Sequence, residues 1–532
     1  MPAADVILLS DVTSSLGSTT SRYCGPYVLS TRLEHAGFNT VVIDYFTRHP
    51  DFFGYLEGFL GQNTMMLGLS STFLSPYEPE LSIERLRRRE MRGERNERYY
   101  RDSLWHLEEP SMQEWFIRLK QVLSRRSPKC RIVLGGAKAP LIYQRPLAMH
   151  RFFDYIVLGQ ADDSIVDLAR CFKEGRTPAH TVRNGVAFLQ PQPGALQGCP
   201  SAQLTDKHAI LRGEGLPIEI SRGCLYNCKF CYYDKKESIR KNLDALRSEL
   251  IRNYENFGST VYHFCDDCFN DTKDKVEGVC GLLLNLPFKV EWVSYARADL
   301  HVKFPETLDL MVKAGCRSLQ YGIETFNPEA GKAAGKAVPP IKVKEFFKTA
   351  YQRHNSQVIF NASFIVGLPH ETPDSQRETT SWLTENRVFD FVSYGVLGLR
   401  KYEAGIDGAV VDYSDYSRNP GRYGFKEIRF EPDYYWRHET MDLVQARELA
   451  IEGLKLIAAC YGSPYFMSTF MYPRMRSLDF NHEDILDMAR QSDEANCRRW
   501  KSQADSRMEE WLGRYWDLLL KINTSLSGAG RA

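Results

Sequence analysis

From residue 216 to residue 397 the chain repeats one unit, a short apolar run followed by a longer helix-like stretch. The apolar runs fall at 217–221, 260–264, 289–294, 317–322, 357–366 and 389–397, with helical patterns at 236–256, 272–285, 305–314, 341–353 and 374–386 between them. Short apolar runs spaced by helices are parallel strands with crossover helices. Six in series predict an open or partial (β/α) barrel, whose working face is the carboxyl end of its strands.

A second alternation precedes this one. Runs at 5–10, 40–44, 65–70, 131–134 and 155–158 read as strands, a helical pattern spans 26–36, and Gly135, Gly136 and Gly159 close the later runs. This predicts a doubly wound, mostly parallel sheet over 1–185. A polar excursion at 77–128 interrupts it. Within that excursion, residues 84–102 carry eight Arg against four Glu and one Asp. Two readings stand: a solvated helical face with internal ion pairs, or an arm contacting nucleic-acid phosphates. A Pro-, Gly-, Gln- and Ser-rich stretch makes 186–215 a linker, the barrel fills 216–430, and 431–532 reads as helical.

Composition narrows the class. The 532 residues hold 68 Lys+Arg against 67 Asp+Glu, a net charge of +1 that argues against wholesale coating of nucleic acid. No apolar run approaches the ~20 residues that span a bilayer. The start, with Asp5 and Asp11 and no basic region, reads as a first strand rather than a signal peptide. Thirteen cysteines, an odd number without a secretion signal, suggest a cytoplasmic protein with reduced thiols, some of them metal ligands.

The sharpest local signal is SRGCLYNCKFCYYDKK, immediately after the first barrel strand. Cys224, Cys228 and Cys231 stand in C-x3-C-x2-C spacing. Thiolates are soft ligands suited to iron–sulfur clusters and zinc. Three in one loop can hold three corners of a cubane and leave one iron open. Structural zinc wants a fourth Cys or His nearby, and the next cysteines, Cys265 and Cys268, lie on a different strand.

At these residues the chain resembles the radical S-adenosylmethionine (radical SAM) superfamily, in the subgroup with an N-terminal cobalamin-binding-like domain. The resemblance implies that Cys224, Cys228 and Cys231 bind a [4Fe–4S] cluster, with Phe230 in the family's aromatic position before the last cysteine. It implies that the open iron chelates SAM. An electron donor such as flavodoxin or ferredoxin would then drive cleavage to a 5′-deoxyadenosyl radical that abstracts hydrogen from substrate. The similarity runs on through CDDCFN (265–270), Arg297 in WVSYARADL, Glu324 at the end of AGCRSLQYGIET's strand, and FIVGLPHET with Gly367. It implies cofactor contacts for Asp267, Arg297, Glu324 and Gly367. Each has a plainer alternative. Asp266, Asp267 and Glu324 could cap the helices that follow, Gly367 and Pro369 could simply turn the chain, and Arg297 could pair with a neighbouring acid.

The first domain is similar to that subgroup's cobalamin domain through CGPYVLSTRLEHAGFNTVVIDY, LGLSST, VLGGAKAP and FDYIVLGQADDSIVDL. It departs in lacking D-x-H-x-x-G and in reading Gly159-Gln160-Ala161-Asp162 where the family has G-E-x-E. Cobalamin is therefore left open beside a domain that only shapes a pocket. The leading expectation is a radical-initiated rearrangement (an isomerase) acting on a small molecule or a modified nucleoside or DNA base. The alternatives are a cobalamin-dependent methyltransferase acting on an unactivated carbon, or a non-catalytic iron–sulfur or zinc module.

Overall fold

The computed structural model describes residues 3–10, 22–46, 49–71, 110–136, 139–144, 148–189, 198–231, 238–336, 338–399, 414–430, 434–462, 469–490 and 493–528. The Arg-rich stretch 84–102 lies outside them.

The first alternation folds into a seven-stranded sheet: β1 (Val6–Ser10), β2 (Thr40–Asp44), β3 (Met66–Ser70), β4 (Arg131–Gly135), β5 (Tyr155–Val157), β6 (Thr181–Arg183) and β7 (Val186–Leu189), in the order β2-β1-β3-β4-β5-β7-β6. All pairings are parallel except β6 with β7. β1 is buried at every position, as a strand covered by helices on both faces must be. The 2-1-3-4-5 order places a topological switch point between β1 and β3, where doubly wound sheets bind ligands beyond the strands' carboxyl ends. The β6–β7 hairpin was not foreseen. Its turn is Asn184-Gly185, with φ of 49° and 76°, the left-handed pair that a two-residue hairpin requires.

The barrel strands are β8 (Leu216–Ile218), β11 (Val261–Phe264), β12 (Glu291–Ala296), β13 (Cys316–Glu324), β14 (Ile359–Val366) and β15 (Phe391–Val396), each beside its successor and all parallel. Between β8 and β11 lies a small antiparallel hairpin, β9 (Ser221–Gly223) with β10 (Ser238–Arg240). The strand expected at 217–221 is thus cut short. The Asp266 carboxylate takes the backbone N–H groups of Ile220 and Ser221 at 3.0 and 2.9 Å, so they leave the ladder. The helix expected from 236 begins only at Leu243, where the Asn242 side chain caps it.

The carboxyl-terminal region is mostly helical. Helix Leu443–Tyr461 packs on helix Pro373–Asn386 and on β15. Two strands, β16 (Phe425–Arg429) and β17 (Tyr435–His438), form a hairpin ahead of it. Thr469 then bonds Asn361 at 2.7 Å and Ser318 at 3.2 Å inside the barrel. The long helix Glu494–Gly528 returns to the first domain, where Trp511 and Tyr515 meet Tyr45 at ring distances of 5.2 and 5.4 Å. No described helix is long and apolar enough to cross a membrane.

Candidate active site

The three cysteines lie on the loop that leaves β9, at the carboxyl end of the barrel. Lys229 N–H donates to the Ala334 carbonyl at 3.0 Å, and the Lys229 carbonyl accepts from Tyr416 N–H at 3.1 Å. Gly335, at φ +79°, permits this closeness: a Cβ there would stand 2.7 Å from the Asn227 carbonyl oxygen. Phe230 is half-buried against the core, with the Lys336 ammonium 5.9 Å from its ring centre.

Donors approach the sulfurs of Cys228 and Cys224. Arg297 Nη1 lies 2.7 Å from Cys228 Sγ. Cys224 accepts a hydrogen bond from Cys268, which holds the Cys224 thiol below its usual range and pushes that of Cys268 up. Sulfurs approached by donors suit thiolate ligands, so the donor chemistry at Cys224 and Cys228 is compatible with a cluster, although among the described residues no three ligating side chains are gathered closely enough to hold a single metal ion.

The acidic segment after β11 divides its roles. Asp266 is fully buried and binds the start of the cysteine loop, with the Lys275 ammonium at 2.9 Å neutralising it. Asp267 is exposed, and its charge bears on Cys224. Neither caps the following helix, because Thr272 does. Arg297 pairs with a neighbouring acid: its Nε and Nη2 donate to Asp299, both at 2.9 Å.

Glu324 closes β13 with φ at +73°, just past a register shift in the β13–β14 pairing. A non-glycine residue there is strained, and a bulge re-aims its side chain. Its carboxylate lies 3.4 Å from Lys336 Nζ, while the next helix is capped by Asn327. Capping is thus excluded for Glu324 and its carboxylate remains at the barrel mouth. Gly367 has φ +92°, and a Cβ would stand 2.4 Å from Trp436 Cη2, so this glycine serves packing as well as turning. Glu371 holds the same loop. It accepts from Gly367 N–H at 3.0 Å, Leu368 N–H at 3.3 Å and the Thr325 hydroxyl at 2.6 Å.

Burial pushes the Glu371 carboxyl up to about 7 from 4.5, against the pull of those donors. The folded protein therefore keeps a proton there that the unfolded chain releases between these values. The resulting stabilisation is complete below pH about 4.5 and is lost as pH rises through about 7. Thermal melts of Glu371→Gln, which cannot ionise, are expected to show a flatter pH profile across this window. Equal slopes for both proteins would remove Glu371 as a titrating group.

The two domains meet at their carboxyl edges. Asp162, in the turn after β5, accepts from Arg222 Nη2 at 2.8 Å, and Arg222 Nε donates to Glu219 at 2.6 Å. Arg222 stands two residues before Cys224. Cys24, opening the first helix, senses the charges of Glu219, Lys241 and Arg222. At Gly25 and Gly135, on the same edge of the first sheet, an added Cβ would meet nothing within 4 Å. Among the described residues, packing does not require glycine at either place. Sequence reasoning missed Arg222, Asn270, Asp299 and Lys336. Arg222, Asn270 and Asp299 lay inside segments already singled out, and Lys336 did not.

Residues 218–383 match the model of the Radical SAM superfamily. An uncharacterized methyltransferase of Pyrococcus horikoshii is 23% identical over 270 residues, which is 47% of this chain and 56% of that protein. The anaerobic magnesium-protoporphyrin IX monomethyl ester cyclase of Cereibacter sphaeroides is 24% identical over 273 residues, 47% of this chain and 44% of that one. The chain thus spans about half the length of the curated relatives it matches. The radical SAM methyltransferase TsrM of Kitasatospora setae, solved with cobalamin and a [4Fe–4S] cluster bound, superposes with TM-score 0.55 at 13% identity. That match covers 96% of this chain and 99% of the other. Residues 218–383 thus form a radical SAM domain, and the doubly wound sheet ahead of it shares the overall fold of that cobalamin-binding protein.

Proposed function

We propose that this enzyme is a cobalamin-dependent radical SAM methyltransferase acting on a small molecule. The observation that carries the reading is the Asp162–Arg222 pair, which holds the ligand-binding edge of the first sheet against the loop of Cys224, Cys228 and Cys231. The rearrangement expected from the altered cobalamin motifs finds no counterpart among the relatives named above. Methyl transfer does, in the Pyrococcus protein and in TsrM, another structure of which holds tryptophan and a SAM analogue.

Cys224, Cys228 and Cys231 would hold the cluster, and the backbone at Gly25, Gly135 and Gly159, on the carboxyl edge of the first sheet, would cradle a corrinoid. When bound, the cluster supplies one-electron reduction of SAM and the corrinoid supplies methyl-group transfer. The protein's own part is placement. Gly335 lets the turn after helix Pro328–Ala333 brace the cysteine loop. Glu324, braced by Lys336, presents a carboxylate at the barrel mouth that can accept hydrogen bonds from SAM. Asp162 and Arg222 fix the separation of the two edges, and a small misplacement between reacting groups is costly.

The test uses protein reconstituted with iron, sulfide and cobalamin, given SAM deuterated in its methyl group, a reductant and a small-molecule extract. A corrinoid that survives gel filtration is expected, with methylated products three mass units heavier than those formed from unlabelled SAM. Asp162→Ala should keep its cluster and still cleave SAM, with methyl transfer reduced about 10²-fold. Products of unchanged mass, formed at full rate without corrinoid, would restore the rearrangement.

A further inference from the structure

Arg297 is 5% exposed and held on every side. The Asn270 side chain accepts from its backbone N–H at 2.8 Å and donates to its carbonyl at 2.7 Å, which fixes the end of β12. One edge of the guanidinium is filled by both oxygens of Asp299, each at 2.9 Å. Its face lies over Tyr226, with 3.9 Å from the guanidinium carbon to the ring centre. The remaining nitrogen, Nη1, is aimed at Cys228 Sγ at 2.7 Å. A guanidinium whose carboxylate-binding edge is already occupied is poorly placed to receive the carboxylate of a second molecule. What it does face is sulfur.

From this arrangement we infer that Arg297 is a positioning residue for the cluster, donating an N–H···S hydrogen bond to Cys228 that raises the cluster's reduction potential. The inference rests on the cluster assignment made above. Hydrogen bonds to cluster sulfurs and nearby charge are levers on the potential. Reduction adds negative charge, and a buried cation beside a ligand sulfur stabilises the reduced state more than the oxidised one. Asp299 orients the fork and Tyr226 covers its face. The donor is thus in place before an electron arrives.

The measurements use reconstituted full-length protein. Iron and sulfide analysis tests the cluster assignment, and EPR-monitored redox titration tests the inference. In Arg297→Gln, poised at the wild-type midpoint, the ratio of reduced to oxidised cluster should fall about tenfold, a downward shift of about 59 mV for one electron. Arg297→Lys, which keeps the charge without the fork, should fall between the two. Wild-type protein labelled with 15N in its arginine guanidinium groups gives a readout independent of any variant's folding. Pulsed EPR of the reduced cluster should show a weak 15N coupling that disappears in Arg297→Lys. A cluster-loaded wild type without that coupling, or a loaded Arg297→Gln with an unchanged midpoint, overturns the inference while the cluster assignment stands. A wild type that binds no iron overturns both.

Discussion

Changing Cys224, Cys228 or Cys231 to alanine, one at a time, is expected to abolish both cluster binding and SAM cleavage. The loop offers three sulfurs and no local substitute. Cys268, hydrogen-bonded to Cys224, is the nearest replacement in chemistry, but it is buried and set on the turn after β11. Moving it into a vacated position would break its contact with Asn270, whose amide holds both backbone groups of Arg297. Iron and sulfide should fall to background in each variant, and 5′-deoxyadenosine should not form under reductant. Cys268→Ala is the informative partner. It keeps all three ligands and should retain its cluster. Normal iron content in any of the three ligand variants would sink the assignment.

The second large effect is on stability. Arg22 is fully buried and joins three parts of the chain: Asp44 at the end of β2, at 2.7 Å, Glu214 in the segment before β8, at 2.6 Å, and the Tyr515 ring of the last long helix, 5.3 Å from its guanidinium carbon. It also donates to the His208 and Ala209 carbonyls at 3.0 and 2.9 Å. Burial alone would lower its charge affinity, yet its acidic neighbours hold it fully charged. Arg22→Met leaves two buried carboxylates without their cation. Breaking a buried pair in this way costs about 3–5 kcal/mol, and the thermal midpoint should drop by ~5–15 °C. Arg22→Lys keeps a charge but cannot span both acids and both carbonyls, so it should recover only part of the loss. A midpoint within a degree of wild type for Arg22→Met would show that this network is not what joins the domains.

Much of the fold could be read from the chain because its signals are local. Parallel strands buried on both faces must be short apolar runs, and their crossover helices must be amphipathic. The alternation therefore located all six barrel strands to within a few residues. Where it failed, a side chain from elsewhere had intervened. The first barrel strand ends early because Asp266, 46 residues from Ile220, takes that residue's backbone N–H. The β6–β7 hairpin was a different kind of miss. Asn184-Gly185 is a strong local turn signal, but it sits beside a stretch rich in Pro and Gly that read as linker.

The candidate site divides in the same way. The spacing of three cysteines after a strand end is a property of sequence alone, since ligands on one loop need no long-range contact to be near each other. The neighbouring acid of Arg297 was legible, but its contact with Cys228 and the Lys336 partner of Glu324 were not. Arg297 meets Cys228 across 69 residues, Asp162 meets Arg222 across 60, and Arg22 meets Glu214 across 192. A residue type says which charges and donors a position offers, while its partner is chosen by how strands and domains pack. By itself the sequence determined the two parallel α/β units and the sulfur loop at the mouth of the second. Only the tertiary structure decided that the carboxyl edges of the two units face each other, that the helical tail locks them together, and that the buried arginine after β12 points at the Cys228 sulfur. Those outcomes depend on burying charge and apolar surface between segments far apart in the chain, which no local pattern encodes.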